Sequence, residues 1–129
     1  MKMLSIIMLS ILVNTCTKET EDSAAPLIEA SAIVFNNNLP VDGCAEHIAF
    51  VDAKGDLIKA VLPTAASSSM FKNLINAEVA KLPANTYSGN LEIPVVLTYR
   101  NTQEKGELEC GWGKKTTVEL IEIVKITKK

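Results

Sequence analysis

From Leu27 onward, short apolar runs alternate with clusters of turn-forming residues, the pattern of a β-rich domain. Ala32-Ile33-Val34-Phe35 is β-branched and aromatic and stops at Asn36-Asn37-Asn38-Leu39-Pro40, which predicts a strand closed by a turn. Two further runs, over residues 47–51 and 57–62, are separated by Asp52-Ala53-Lys54-Gly55-Asp56. Gly55 takes positive φ without steric cost, so these runs predict a hairpin. Behind Ser67-Ser68-Ser69, the residues Met70, Phe71, Leu74, Ile75, Val79 and Leu82 recur at helical spacing until Pro83. They predict one helix over about residues 69–81.

The second half reads as strands. Leu91, Ile93, Val95, Leu97 and Tyr99 alternate with Glu92, Pro94, Thr98 and Arg100, so one face is buried. Pro94 cannot donate to a ladder, which predicts a sheet edge or a bulge. Residues 101–106 predict a polar turn, 107–112 a short strand and 113–115 another turn. In residues 116–127, rich in Val and Ile, the polar Glu119, Glu122 and Lys125 recur every third position. That period suits neither a flat strand nor a helix, and predicts a long strand whose facing switches at Leu120-Ile121 through a bulge. The expected fold is mainly β: a small antiparallel barrel or sandwich of about six strands with one helix plugging an end. In element order it resembles OB-like and other compact barrels.

The amino-terminal segment has a different character. Lys2 precedes residues 3–13, apolar except for Ser5 and Ser10, the layout of a cleaved secretory signal. It is shorter than the roughly 20 apolar residues that span a bilayer. A buried helix is the competing reading, but no caps or amphipathic stripe support one. Leu12-Val13-Asn14-Thr15-Cys16 resembles the lipobox of bacterial lipoproteins, in which the Cys carries a diacylglycerol. Asn14 and Thr15 depart from the small residues usual before that Cys, and an unlipidated secreted protein is the rival expectation. Cys16-Thr17-Lys18-Glu19-Thr20-Glu21-Asp22 resembles the start of many Bacteroidota lipoproteins, in which a Lys followed by acidic residues marks export to the outer face. The resemblance implies a lipid-anchored envelope protein of the outer membrane, on its periplasmic face or at the cell surface. The polar, acidic stretch that follows, ending in Ala24-Ala25-Pro26, reads as a flexible tether. The expected division is therefore a signal over 1–15, lipidated Cys16 with its tether over 16–26, and one domain over 27–129.

Composition narrows the function. Removing 15 of the 129 residues leaves 114, enough for one core. The net charge of −2 becomes −3 once Lys2 is lost, and no basic stripe exists, so nucleic acid is not an expected partner. The chain has no Gly-rich phosphate loop, nucleophile elbow or paired CxxC, and no cofactor is expected.

With Cys16 lipidated, Cys44 and Cys110 remain as an even pair in an oxidising compartment, which points to a disulfide. The rival is a metal site of Cys44, His47 and Cys110, which lacks a fourth soft ligand. His47 is the sole histidine, and Asp42 and Glu46 beside it are a candidate acid/base pair, at a spacing common in any acidic domain. Trp112, between Gly111 and Gly113, is either a ligand platform or a core side chain. A disulfide would bring Trp112 into one patch with a polar rim of Asp42, Glu46, His47 and Lys114. Gly43-Cys44 with Cys110-Gly111-Trp112-Gly113 resembles a loose group of small Bacteroidota lipoproteins with a GC…CGW pattern, over about residues 41–126. Ala45-Glu46-His47 departs from that pattern, where a Gly or aromatic is usual. The resemblance implies a fold and a location but no reaction. The leading expectation is a membrane-anchored, non-enzymatic binding or structural domain, with a protein or glycan as partner. The rivals are an envelope inhibitor of a lysozyme or protease, and a hydrolase or metal enzyme.

Overall fold

A computed structural model of the protein describes residues 24–36, 43–89 and 91–129. The expected signal, Cys16 and Asp42 lie outside these residues. Five strands and one helix follow in the order β1 (Ile28–Asn36), β2 (His47–Val51), β3 (Leu57–Pro63), α1 (Ser68–Val79), β4 (Leu91–Cys110) and β5 (Lys114–Lys128). The strands close into a barrel in the order β1-β2-β3-β5-β4, with β4 returning to β1. This order, with a helix between β3 and β4, resembles that of OB-like Greek-key barrels. The expected barrel and helix are present. Every pairing is antiparallel except β3 with β5, which run parallel from Val61↔Glu119 to Pro63↔Ile121, so the barrel is mixed rather than purely antiparallel.

There are five strands rather than six because residues 101–106 do not turn. They continue β4 as a bulge, since Asn101 pairs with Ile121 and Lys105 with Glu119, leaving residues 102–104 without ladder partners. Thr102 Oγ1 donates to the Leu120 carbonyl at 2.6 Å and accepts from the Glu104 N–H at 3.2 Å, which replaces the missing ladder bonds. Two single-residue bulges complete the bending. Ile58 is extra on β3 against Phe50/Val51, and Val124 is extra on β5 against Thr98/Tyr99.

These registers correct two further expectations. The bulge in β5 falls at Val124, not at Leu120-Ile121. Ile121 and Ile123 face the barrel core, whereas Val118, also buried, lies outside that core with Leu108, so burial on both faces produced the apparent period of three. Pro94 sits on a strand flanked on both sides, opposite Ile33 of β1, and not at an edge. Its carbonyl accepts from the Lys129 N–H at 3.0 Å. The N and C=O of one strand residue point to the same side, so the missing donor falls where the β5 ladder runs out.

The core follows from alternation. Val34, Ile48, Val61, Val95, Leu97 and Ile121 are fully buried inside the barrel. Phe71 and Ile75 of α1 join the same cluster and plug the end where β3 finishes and β4 begins. A buried carboxylate anchors the helix. Glu78 is bound by Lys81 at 2.5 Å and by Lys128 of β5 at 2.6 Å, and Lys128 followed by Lys81 holds its carboxyl below the ordinary 4.5. Because this pKa is lower folded than unfolded, the stabilisation is complete above the unfolded value and is lost as pH falls through the folded one. Glu78→Gln is expected to lower stability at pH 7 and to flatten its acid-side pH dependence, as read by urea midpoints between pH 7 and pH 3.

Candidate functional site

The disulfide expected from cysteine usage is present between Cys44 and Cys110, whose Cα atoms are 3.8 Å apart. Its setting is a strand-like pairing. The Ala45 N–H donates to the Glu109 carbonyl and the Gly111 N–H to the Gly43 carbonyl, each at 2.7 Å, so the cysteines face each other between two ladder bonds. Such a non-hydrogen-bonded pair brings side chains closest. β1 leaves β4 after Tyr99, and residues 43–45 take over the edge that β1 no longer covers. The rival metal set, Cys44 with His47 and Cys110, has its two sulfurs bonded to each other.

Next to the bridge, Gly111-Trp112-Gly113 turns β4 into β5. Trp112 and Gly113 both have positive φ, 61° and 72°, and the Lys114 N–H closes the turn onto the Gly111 carbonyl at 3.4 Å. Two consecutive left-handed residues match the right-handed twist of a hairpin. At Trp112 this conformation costs about 1–2 kcal/mol, since its Cβ crowds the following carbonyl. The indole recovers none of that by burial: it is 85% exposed, so Trp112 is not a core side chain. Lys114 is exposed beside it.

His47 lies on the other side of the bridge. Its ring stacks on Phe35 with centroids 4.8 Å apart and planes within 10°, and Nδ1 donates to the Ala45 carbonyl at 2.8 Å. Burial pushes its pKa down, against the smaller opposing pull of that carbonyl. The neutral ring, protonated at Nδ1, therefore keeps Nε2 as an acceptor. His47, Cys44, Phe35, Leu57, Asn36 and Glu92 line a cavity of about 300 Å³. Asn36 is buried, and its Oδ1 has no hydrogen-bond partner among the described residues. The cavity thus combines aromatic and aliphatic walls with two polar groups able to accept, the His47 ring and the Glu92 carboxylate, a set that suits hydroxyl or amine donors, while Asn36 Oδ1 is closed to solvent.

Glu46 departs from the expected patch. It pairs with Lys72 of α1 in a shallow groove lined by Leu62, Phe71 and Leu120, and so ties the β1–β2 loop to the helix instead of rimming the Trp112 turn. No group of three His, Cys, Asp or Glu side chains able to hold a metal occurs among the described residues. Asn36 and Phe35, which the sequence places in a turn and at the end of a strand, are the residues that sequence reading missed. Phe35 reaches the site by pairing with His47 of β2, and Asn36 by pairing with Leu91 of β4.

No family model, curated protein or solved structure matches the chain. No helix among the described residues is long and apolar enough to cross a membrane.

Three outcomes follow for this site. Thiol alkylation without reductant is expected to leave Cys44 and Cys110 unmodified. The Cys44→Ser/Cys110→Ser pair is expected to cost roughly 4 kcal/mol in denaturant unfolding, from a loop of 66 residues. Emission from Trp112, the sole tryptophan, should be red-shifted and strongly quenched by iodide in the folded protein, whereas a blue-shifted, protected emission would place the indole in a core.

Proposed function

We propose that this chain is a lipid-anchored lipoprotein of the cell envelope whose barrel is a non-enzymatic binding domain, with the Trp112 turn and the adjoining cavity as its contact surface. The observation that carries the reading is the exposed indole of Trp112, held in a left-handed turn directly after a disulfide. The hairpin needs the left-handed conformation but not a bulky exposed side chain in it, and strain of this kind concentrates at functional positions. A rigid, amphipathic aromatic on a stapled loop is the kind of side chain that dominates binding energy. The turn is the β4–β5 connection and the disulfide joins it to the β1–β2 connection, the two loops with which OB barrels engage oligosaccharides and oligonucleotides. The net charge of −2 argues against a polyanion. An indole face for a sugar ring, joined through the disulfide to a cavity with His47 and Glu92 as acceptors for its hydroxyls, favours a glycan over a protein partner.

The anchor rests on Cys16 and the apolar segment before it. Cys16→Ala is expected to move the protein from the membrane to the soluble fraction, and unchanged sedimentation with membranes would remove the anchor. For the binding reading, Trp112→Gly relieves the left-handed strain and is expected to leave the fold intact, with stability unchanged or raised by up to about 1 kcal/mol. It should lower retention of the protein on envelope glycans at least tenfold. Equal retention would end the proposal, and one-to-one capture of a lysozyme or protease by the parent protein would replace it with the inhibitor.

A further inference from the structure

The end of the barrel opposite α1 is open. There, where β1 begins, β2 ends and β3 begins, lies a cavity of about 610 Å³. Its walls are the outermost inward-facing positions of the strands. Ala30 continues the inward series of Ala32 and Val34, Phe50 that of Ile48, Lys59 that of Val61, Tyr99 that of Val95 and Leu97, and Glu119 that of Ile121. Phe50 and Tyr99, in contact with ring centroids 5.0 Å apart, form the floor that separates this mouth from the core. Above the floor, inward-facing positions change from apolar to charged: Lys59 pairs with Glu119 across the parallel β3–β5 seam, and Lys105 stands near the same carboxylate.

Two of the three bulges open onto this mouth. Ile58, 65% exposed, is the extra residue of β3, and residues 102–104 are the unpaired stretch of β4. Ile58, Asn101, Thr102 and Gln103 all line the cavity. Bulges at barrel rims re-aim side chains and concentrate at binding sites. Here an aromatic floor lies beneath two lysines and one carboxylate, together with amide groups. The local charge is positive in a protein that is negative overall.

We propose that this mouth is a binding site for a small organic anion, a flat apolar ring bearing one carboxylate, separate from the Trp112 surface. The ring lies on Phe50 and Tyr99 against Ile58, and the carboxylate is taken by Lys105 together with Lys59. Lys59 remains shared with Glu119, so a monoanion neutralises the residual charge of the Lys59–Glu119–Lys105 row. The volume falls within the range of about 300–1,000 Å³ usual for small-molecule sites, which include the mouths of β-barrels.

The test is titration of ¹⁵N-labelled full-length protein with phenylacetate, and with 2-phenylethanol as its uncharged counterpart. Saturable shifts are expected at Phe50, Tyr99, Asn101 and Lys105 with phenylacetate, and at least about tenfold weaker binding of the alcohol. Lys105→Glu reverses one exposed charge outside the core. It should weaken phenylacetate at least tenfold and leave the alcohol unchanged, with the rest of the spectrum in place. Equal binding of acid and alcohol, indifference to Lys105→Glu, or no saturable shift at the mouth up to 10 mM would each overturn the proposal. None of these outcomes depends on Trp112, so this site and the glycan-binding reading stand or fall separately.

Discussion

Ring closure through β4 is the constraint on which the rest of the structure depends. A five-stranded sheet closes only if its last strand pairs on both edges at staggered positions. β4 does this along 20 residues, giving its first half to β1 and nearly its whole length to β5. So long a strand cannot remain straight around so small a barrel. The bulges at Ile58, residues 102–104 and Val124 supply the bend, and Pro94 is tolerated because β5 ends beside it. The helix at one end and the open mouth at the other follow from the same closure, since a short barrel filled by Val, Ile and Leu leaves two ends to be covered.

What the sequence disclosed depended on which surfaces face water. α1 was legible because Phe71 and Ile75 pack on the barrel end at helical spacing, and the start of β4 was legible because Ile93, Val95 and Leu97 alternate with exposed residues. Residues 101–106 were read as a turn because both of their faces are polar: one faces solvent and the other faces the mouth. Hydrophobic periodicity disappears wherever the inward side of a strand is wet, although the ladder continues. β5 misled in the opposite way. Val118 is buried on the face away from Ile121 and Ile123, and no one-faced pattern contains all three.

The candidate site was legible in part. Cysteine usage pointed to the bridge, and the bridge brings Trp112, Lys114, Cys44 and His47 to one side of the barrel. The register between β1 and β2 has no local signature, and that register puts Phe35 against His47. Glu46 carries no local mark of its partner either, because Lys72 belongs to a helix reached only after β2 and β3. The parallel seam between β3 and β5 is equally silent in sequence, yet it sets Glu119 opposite Val61 and so within ion-pair reach of Lys59.

The short pairing of residues 43–45 with the end of β4 also bears on how molecules of this protein meet one another. A barrel has no free edges where its ladders are complete, but β4 outruns β1 and keeps one row of N–H and C=O groups beyond Tyr99. The loop carrying Cys44 occupies the end of that row and is held there covalently. Cleavage of the bridge by a reductant would leave residues 43–45 held to β4 by two backbone hydrogen bonds. An unoccupied strand edge is a template for the same strand of a second molecule. The disulfide would then act as a barrier to self-association as well as a contribution to stability.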